Sequence, residues 1–104
     1  MAGSIPAHIK SISIPLMDNQ TAEFGLAEEI TDGIIEEFNE AGILRVVDEN
    51  LSNSILRGEI KDIKEGPYTY SKLESVTEYR YKVNVYFRWY DVKEDKNLLE
   101  GTYS

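Results

Sequence analysis

Hydrophobic and polar positions change their period along the chain, and each change marks an element. Ile9-Lys10-Ser11-Ile12-Ser13-Ile14 alternates apolar and polar with β-branched side chains, which predicts a half-buried strand. Pro15 closes it, because proline has no donor for a strand ladder. After the polar stretch from Met17 to Glu23 the spacing turns helical, from Phe24 to about Ala41. Ala27, Ile30, Ile34, Phe38 and Ala41 recur every three or four residues, while Glu28, Glu29, Asp32, Glu36, Glu37 and Glu40 fall mainly on the other side. Gly33 inside this helix is expected to mark close packing on the sheet, and Gly42 to end the helix as a C-terminal cap.

Beyond the helix, Ile43 to Val47 predicts a short strand leading to polar Asp48-Glu49-Asn50, and Leu51 to Ser54 fits a turn of helix or a loop equally. Ile55 to Ile63 predicts a strand with Leu56, Gly58 and Ile60 on one face and Arg57, Glu59 and Lys61 on the other. Lys64 to Ser75 contains Gly66-Pro67 and reads as a long hairpin connection or ragged strand ends. Val76 to Val92 carries the clearest strand signal. Tyr79, Tyr81, Val83, Val85, Phe87 and Trp89 should meet the helix; Arg80, Lys82, Asn84, Tyr86, Arg88 and Tyr90 should form a wet or partner-facing surface. Asp91 to Asn97 reads as a charged, solvated turn before a last strand, Leu98 to Tyr103.

The pattern therefore predicts an α+β fold. One amphipathic helix packs on a mainly antiparallel or mixed sheet of four to five strands, in a single domain over residues 1–104. One helix leaves part of such a sheet's apolar face bare, and a further element, an oligomer contact or a bound partner would cover the remainder.

Composition narrows the function classes. With 11 Lys+Arg against 19 Asp+Glu the formal net charge is −8, which repels phosphate backbones and argues against non-specific nucleic-acid binding. The charge is uneven. Ten acids and a single base, Arg45, lie in residues 18–50, whereas most of the bases lie in 57–88, so a local cationic strip fits an acidic protein. The absence of cysteine removes disulfides and thiol sites. Met1-Ala2-Gly3-Ser4 has neither a basic nor an apolar region, so no secretory signal is expected there. No run approaches the ~18 apolar residues of a membrane helix, and the chain as it stands is expected to be soluble.

Catalysis finds little support, and the chain reads as a non-enzyme without cofactors. The only histidine, His8, fits a solvated or N-terminal packing role, and one histidine without cysteine cannot build a Cys/His or multi-His metal site. No glycine-rich phosphate loop appears. Asp91, Glu94, Asp95, Asn97 and Glu100 lack the spacing of a calcium loop. Asn19-Gln20-Thr21 and Asn50-Leu51-Ser52 match the glycosylation sequon, a frequent chance match.

Two surfaces are candidates for binding. Arg80, Lys82 and Arg88 project from the long strand beside Tyr86 and Tyr90, with Arg57 and Lys61 on the same side of a neighbouring strand. Cations beside aromatic rings suit an amphiphile with anionic groups or an acidic protein surface, whereas cross-strand pairs to Glu59 and Glu78 would make the same face merely solvated. The second is Pro67, Tyr68, Tyr70 and Lys72, since tyrosines on loops either mark contacts or cover a sheet edge. A generic protein-interaction domain, self-association included, remains the alternative to a specific ligand.

At Ile9 to Pro15, followed by Asp18-Asn19-Gln20-Thr21, the sequence resembles the LptE type of lipopolysaccharide-assembly lipoprotein. Further matches follow in order: Gly25-Leu26 with Glu28 and Thr31, Leu44 to Asp48, Leu56 to Ile60, Val76 to Arg80, and Leu99 to Ser104. Each is weak alone, and their order carries the resemblance. It implies an outer-membrane lipoprotein on the periplasmic side that plugs the LptD barrel and binds lipopolysaccharide. Membrane attachment would then come only through a lipid anchor. The sequence departs from the family in lacking the lipid-bearing cysteine and the helix that follows the last strand, which fits a trimmed chain. No residue for lipopolysaccharide contact transfers by motif.

Overall fold

The computed structural model describes residues 5–71 and 74–104, with the side chains of 65–81 outside the description. The elements run β1 (Ser11–Ile12), β2 (Asp18–Asn19), α1 (Leu26–Ala41), β3 (Arg45–Val46), a 3-10 turn (Glu49–Leu51), β4 (Ser54–Ser71), β5 (Glu74–Asp91) and β6 (Lys96–Tyr103). One sheet has the order β2-β4-β5-β6, in which β2 lies parallel to β4 and the other pairs are antiparallel. A second, parallel pair joins β1 to β3, and a parallel bridge from Ser13 to Ile55 fastens it to the start of β4. The expected α+β class and mixed sheet are what the chain adopts.

The first strand is more central than its alternation predicts. Ser11 and Ser13 are as buried as Ile12 and Ile14, because β1 lies between β3 on one side and β4 on the other. Ser11 is satisfied there: its carbonyl accepts the Ser54 hydroxyl, and its own hydroxyl donates to Asn53 Oδ1. This corrects the half-buried reading.

The helix begins at Leu26 rather than Phe24. Gly25 takes a left-handed conformation (φ 84°) at the N-terminus and leaves Phe24 fully exposed. Glu28 and Glu29 in the first turn oppose the positive end of the helix dipole, and Gly42 (φ 67°) closes the last turn by donating its N–H to the Phe38 carbonyl. Leu26, Ala27 and Thr31 are buried and Ile30, Ile34 and Phe38 pack against the core, whereas Ala41 is exposed. Thr31 is buried because its Oγ1 accepts the Met17 N–H at 3.0 Å. Gly33 faces open space, so its expected packing on the sheet does not occur.

The sheet core follows the alternation of β5: Val83, Val85, Phe87 and Trp89 all join the cluster beneath the helix, with Ile60 fully buried opposite Val85. A bulge between Ile60 and Asp62 puts Lys61 and Asp62 on the outer face together and returns Ile63 to the inner one. Gly58 is required by close approach, since a Cβ there would overlap Met17 Sδ and lie 3.3 Å from Phe87 Cδ1. The stretch Lys64 to Ser75 is not a long connection. The ladder runs on through Gly66↔Arg80 and Pro67↔Tyr79 to Ser71↔Glu74, with further register shifts around Thr69.

Candidate functional site

The outer face of β4, β5 and β6, away from the helix, gathers Arg57, Lys61, Lys82, Tyr86, Arg88 and Tyr90 of the residues that the sequence singles out. Arg57 stands directly across from Arg88, Glu59 from Tyr86, and Lys64 from Lys82; on the other side Arg88 faces Glu100. The strip is not purely basic. Arg57 Nη2 pairs with Glu49 Oε2 at 2.7 Å, and Lys61 Nζ with Glu59 Oε1 at 2.7 Å. Lys61 also lies 6.0 Å from the Tyr86 ring centroid, at the limit of a cation–π contact. Lys82 is exposed. The side chains of Pro67, Tyr68, Tyr70, Lys72 and Arg80 lie outside the described residues.

Both tyrosine hydroxyls on this face donate to carboxylates. Tyr86 reaches Glu100 Oε2 at 2.5 Å, and Tyr90 reaches Asp95 Oδ1. Each phenol is raised above its ordinary value, first because its proton is held in that hydrogen bond, then because burial and the neighbouring negative charge disfavour the phenolate. Between Arg57, Arg88, Tyr90 and Asn97 lies a depression of about 180 Å³ whose floor is the buried Ile55. Two arginines held opposite each other over an apolar floor repel, and an anionic group between them would relieve that repulsion.

A larger cavity opens between the helix and the sheet. It measures about 430 Å³ and is lined by apolar side chains, among them Phe38, Leu56, Phe87, Trp89, Leu99 and Tyr103. Leu99 and Tyr103 are each 48% exposed, so one helix leaves apolar sheet surface bare at the β6 end. Trp89 Nε1 is buried with no hydrogen-bond partner among the described residues.

At one end of the molecule sits a polar cluster that the sequence reading missed. Asp91, expected in a solvated turn, is fully buried. Its Oδ1 accepts the backbone N–H groups of Lys93 and Glu94 at 3.0 and 3.2 Å, and its Oδ2 meets His8 Nε2 at 2.7 Å. Burial pushes this carboxyl up, but the Glu94 N–H, His8 and the Lys93 N–H outweigh it and hold it below the usual carboxylate range. His8 takes the N-terminal packing role, through a partner 83 residues away. Among the described residues, no three His, Asp or Glu side chains converge on a metal position, and no helix is long and apolar enough to cross a membrane.

A family model described as LptE, lipopolysaccharide-assembly, matches residues 9–104. The chain belongs to the LptE family. LptE-family proteins are non-enzymatic components of lipopolysaccharide transport and outer-membrane assembly, and the family is one of outer-membrane lipoproteins. No curated protein matches the chain significantly. Several solved structures share its fold. Lipoprotein GNA1162 from Neisseria meningitidis is 12% identical with a TM-score of 0.63, over 90% of this chain and 80% of that one. The hypothetical protein CT253 from Chlamydia trachomatis is 11% identical with a TM-score of 0.69, over 91% and 70%. The PelC dodecamer from Paraburkholderia phytofirmans is 14% identical with a TM-score of 0.66, over 99% and 77%. These likenesses are of fold.

Proposed function

We propose that this LptE-family chain binds lipopolysaccharide directly and plugs an LptD-type barrel on the periplasmic side of the outer membrane. Family membership over residues 9–104 supports the assembly role, and the opposed Arg57 and Arg88 beside Tyr86 and Tyr90 support the contact face. The ion pair that Glu49 makes with Arg57 is half exposed, and such pairs are worth at most about 1 kcal/mol, so an anionic headgroup displaces it at small cost. Lys61 and Lys82 extend the same face along β4 and β5, and the alternation of the sequence assigns Arg80 to it as well. Pro67, Tyr68, Tyr70 and Lys72 would meet the barrel together with Tyr86 and Tyr90. Titration of the whole chain with lipopolysaccharide tests the face. Neutralising Arg57 and Arg88 together should weaken binding by roughly tenfold or more, and unchanged affinity would reject the site. Copurification with a coexpressed barrel tests the plug.

A second reading is a protein-interaction domain that recruits another chain, or a second copy, through the sheet edge. It is favoured by β6, whose outer edge has no paired strand among the described residues and which exposes Leu99 and Tyr103. Leu99→Lys should then abolish any concentration-dependent association seen by light scattering.

A further inference from the structure

We propose that residues 5–8 form a strap over the apolar cavity, latched by His8 to Asp91, so that release of the latch opens the cavity. Ile5 lines the cavity between helix and sheet and packs on the core. Among the described residues, the His8–Asp91 contact is the one hydrogen bond joining residues 5–8 to the rest of the fold, apart from the local turn in which Ile9 donates to the Pro6 carbonyl at 3.0 Å. Firm anchoring begins at Ile9, buried in the core, and continues where the Lys10 N–H and the Ser11 hydroxyl donate to Asn53 Oδ1.

The Asp91 carboxylate divides its labour. Oδ1 is occupied by the turn between β5 and β6, through the N–H groups of Lys93 and Glu94. Oδ2 holds the strap alone. Losing His8 therefore leaves the turn built and frees only the N-terminal segment. Among the described residues Ile5 then has no hydrogen-bonded tether, and its place in the cavity wall rests on its apolar contacts. Trp89, the single tryptophan, lines the same cavity and reports its opening. The strap is a property of this chain's own contacts and stands whether or not lipopolysaccharide binds the outer face.

The test uses the full chain. In the wild type, the Ile9 amide should exchange with solvent far faster than that of Leu56, which donates to the Ser13 carbonyl in the ladder; equal protection would mean that the strap opens only on global unfolding and would overturn the idea. His8→Ala should speed Ile9 exchange by roughly tenfold, the worth of one hydrogen bond to a carboxylate, and raise acrylamide quenching of Trp89 roughly twofold. His8→Gln, whose amide nitrogen reaches the place of Nε2, should return both readouts toward wild type. Ile5→Ser should raise quenching while leaving Ile9 exchange unchanged. Faster exchange in His8→Ala without greater quenching, or neither change, overturns the proposal. The wild-type measurement decides alone if His8→Ala does not fold.

Discussion

Replacing Gly58 by alanine sets a methyl group where Met17 Sδ already lies, in the layer between sheet and helix. Met17 is 2% exposed within the core cluster, so its side chain makes room only by shifting inside that packed layer. Overpacking of this kind costs about 1–3 kcal/mol. The backbone of Gly58 is not left-handed, so alanine also recovers about 0.4–1 kcal/mol by restricting the unfolded chain. The net loss should be about 1–1.5 kcal/mol, which lowers the midpoint of thermal unfolding by ~5–10 °C for a domain of this size. A double-mutant cycle in urea isolates the contact. Met17→Ala alone should cost about 2–5 kcal/mol, and in that background Gly58→Ala should become neutral or stabilising, giving a coupling of about 2 kcal/mol. Gly58→Ala as stable as wild type, or equally costly in both backgrounds, would refute the reasoning.

The two helix glycines should respond in opposite directions. Gly33→Ala, at an open exposed site, should stabilise by about 0.8–1 kcal/mol, whereas Gly42→Ala, forced into φ 67°, should destabilise by about 1 kcal/mol; urea midpoints of the two variants measure both. Asp91 has its folded value below its unfolded one of about 3.9, so its contribution to stability is complete above that pH and is lost as pH falls through the folded value. The stability difference between wild type and Asp91→Asn should therefore shrink on acidification below about pH 4, and a difference constant with pH would show that the buried carboxylate charge is not what holds the turn.

Periodicity was a good guide wherever one face of an element alone decides its residues. The helix stripe of Ala27, Ile30, Ile34 and Phe38 and the inward residues of β5 from Val83 to Trp89 were legible for that reason. Elements fixed by distant partners were not. Ser11 and Ser13 look like solvent-facing positions, and only β3, Asn53 and β4, contributed more than thirty residues later, bury them and satisfy Ser11. Gly66-Pro67 looks like a turn, yet a two-stranded ribbon has an outer edge that needs no donor, so proline sits in the ladder there. Of the candidate face, the side on which Arg57, Lys61, Tyr86, Arg88 and Tyr90 lie could be read from alternation, as could Glu59 beside Lys61, whereas the carboxylates that meet Arg57 and Tyr86 could not. Glu49 reaches Arg57 from the 3-10 turn and Glu100 reaches Tyr86 from β6, and neither spacing follows a local period. Asp91 hid in a run of charged residues; the sole signal was a lone histidine near the other end of the chain.

The placement of β1 sets the order in which the molecule can be made. Its neighbours are Arg45–Val46 on one side and Ile55 on the other, so β1 is synthesised before either partner and waits without a ladder until both have emerged. Closing those long loops before any pairing is rewarded raises the entropic barrier and slows folding. Ser11–Ile12 therefore gains its place in the sheet only once the chain through Ile55 has been made.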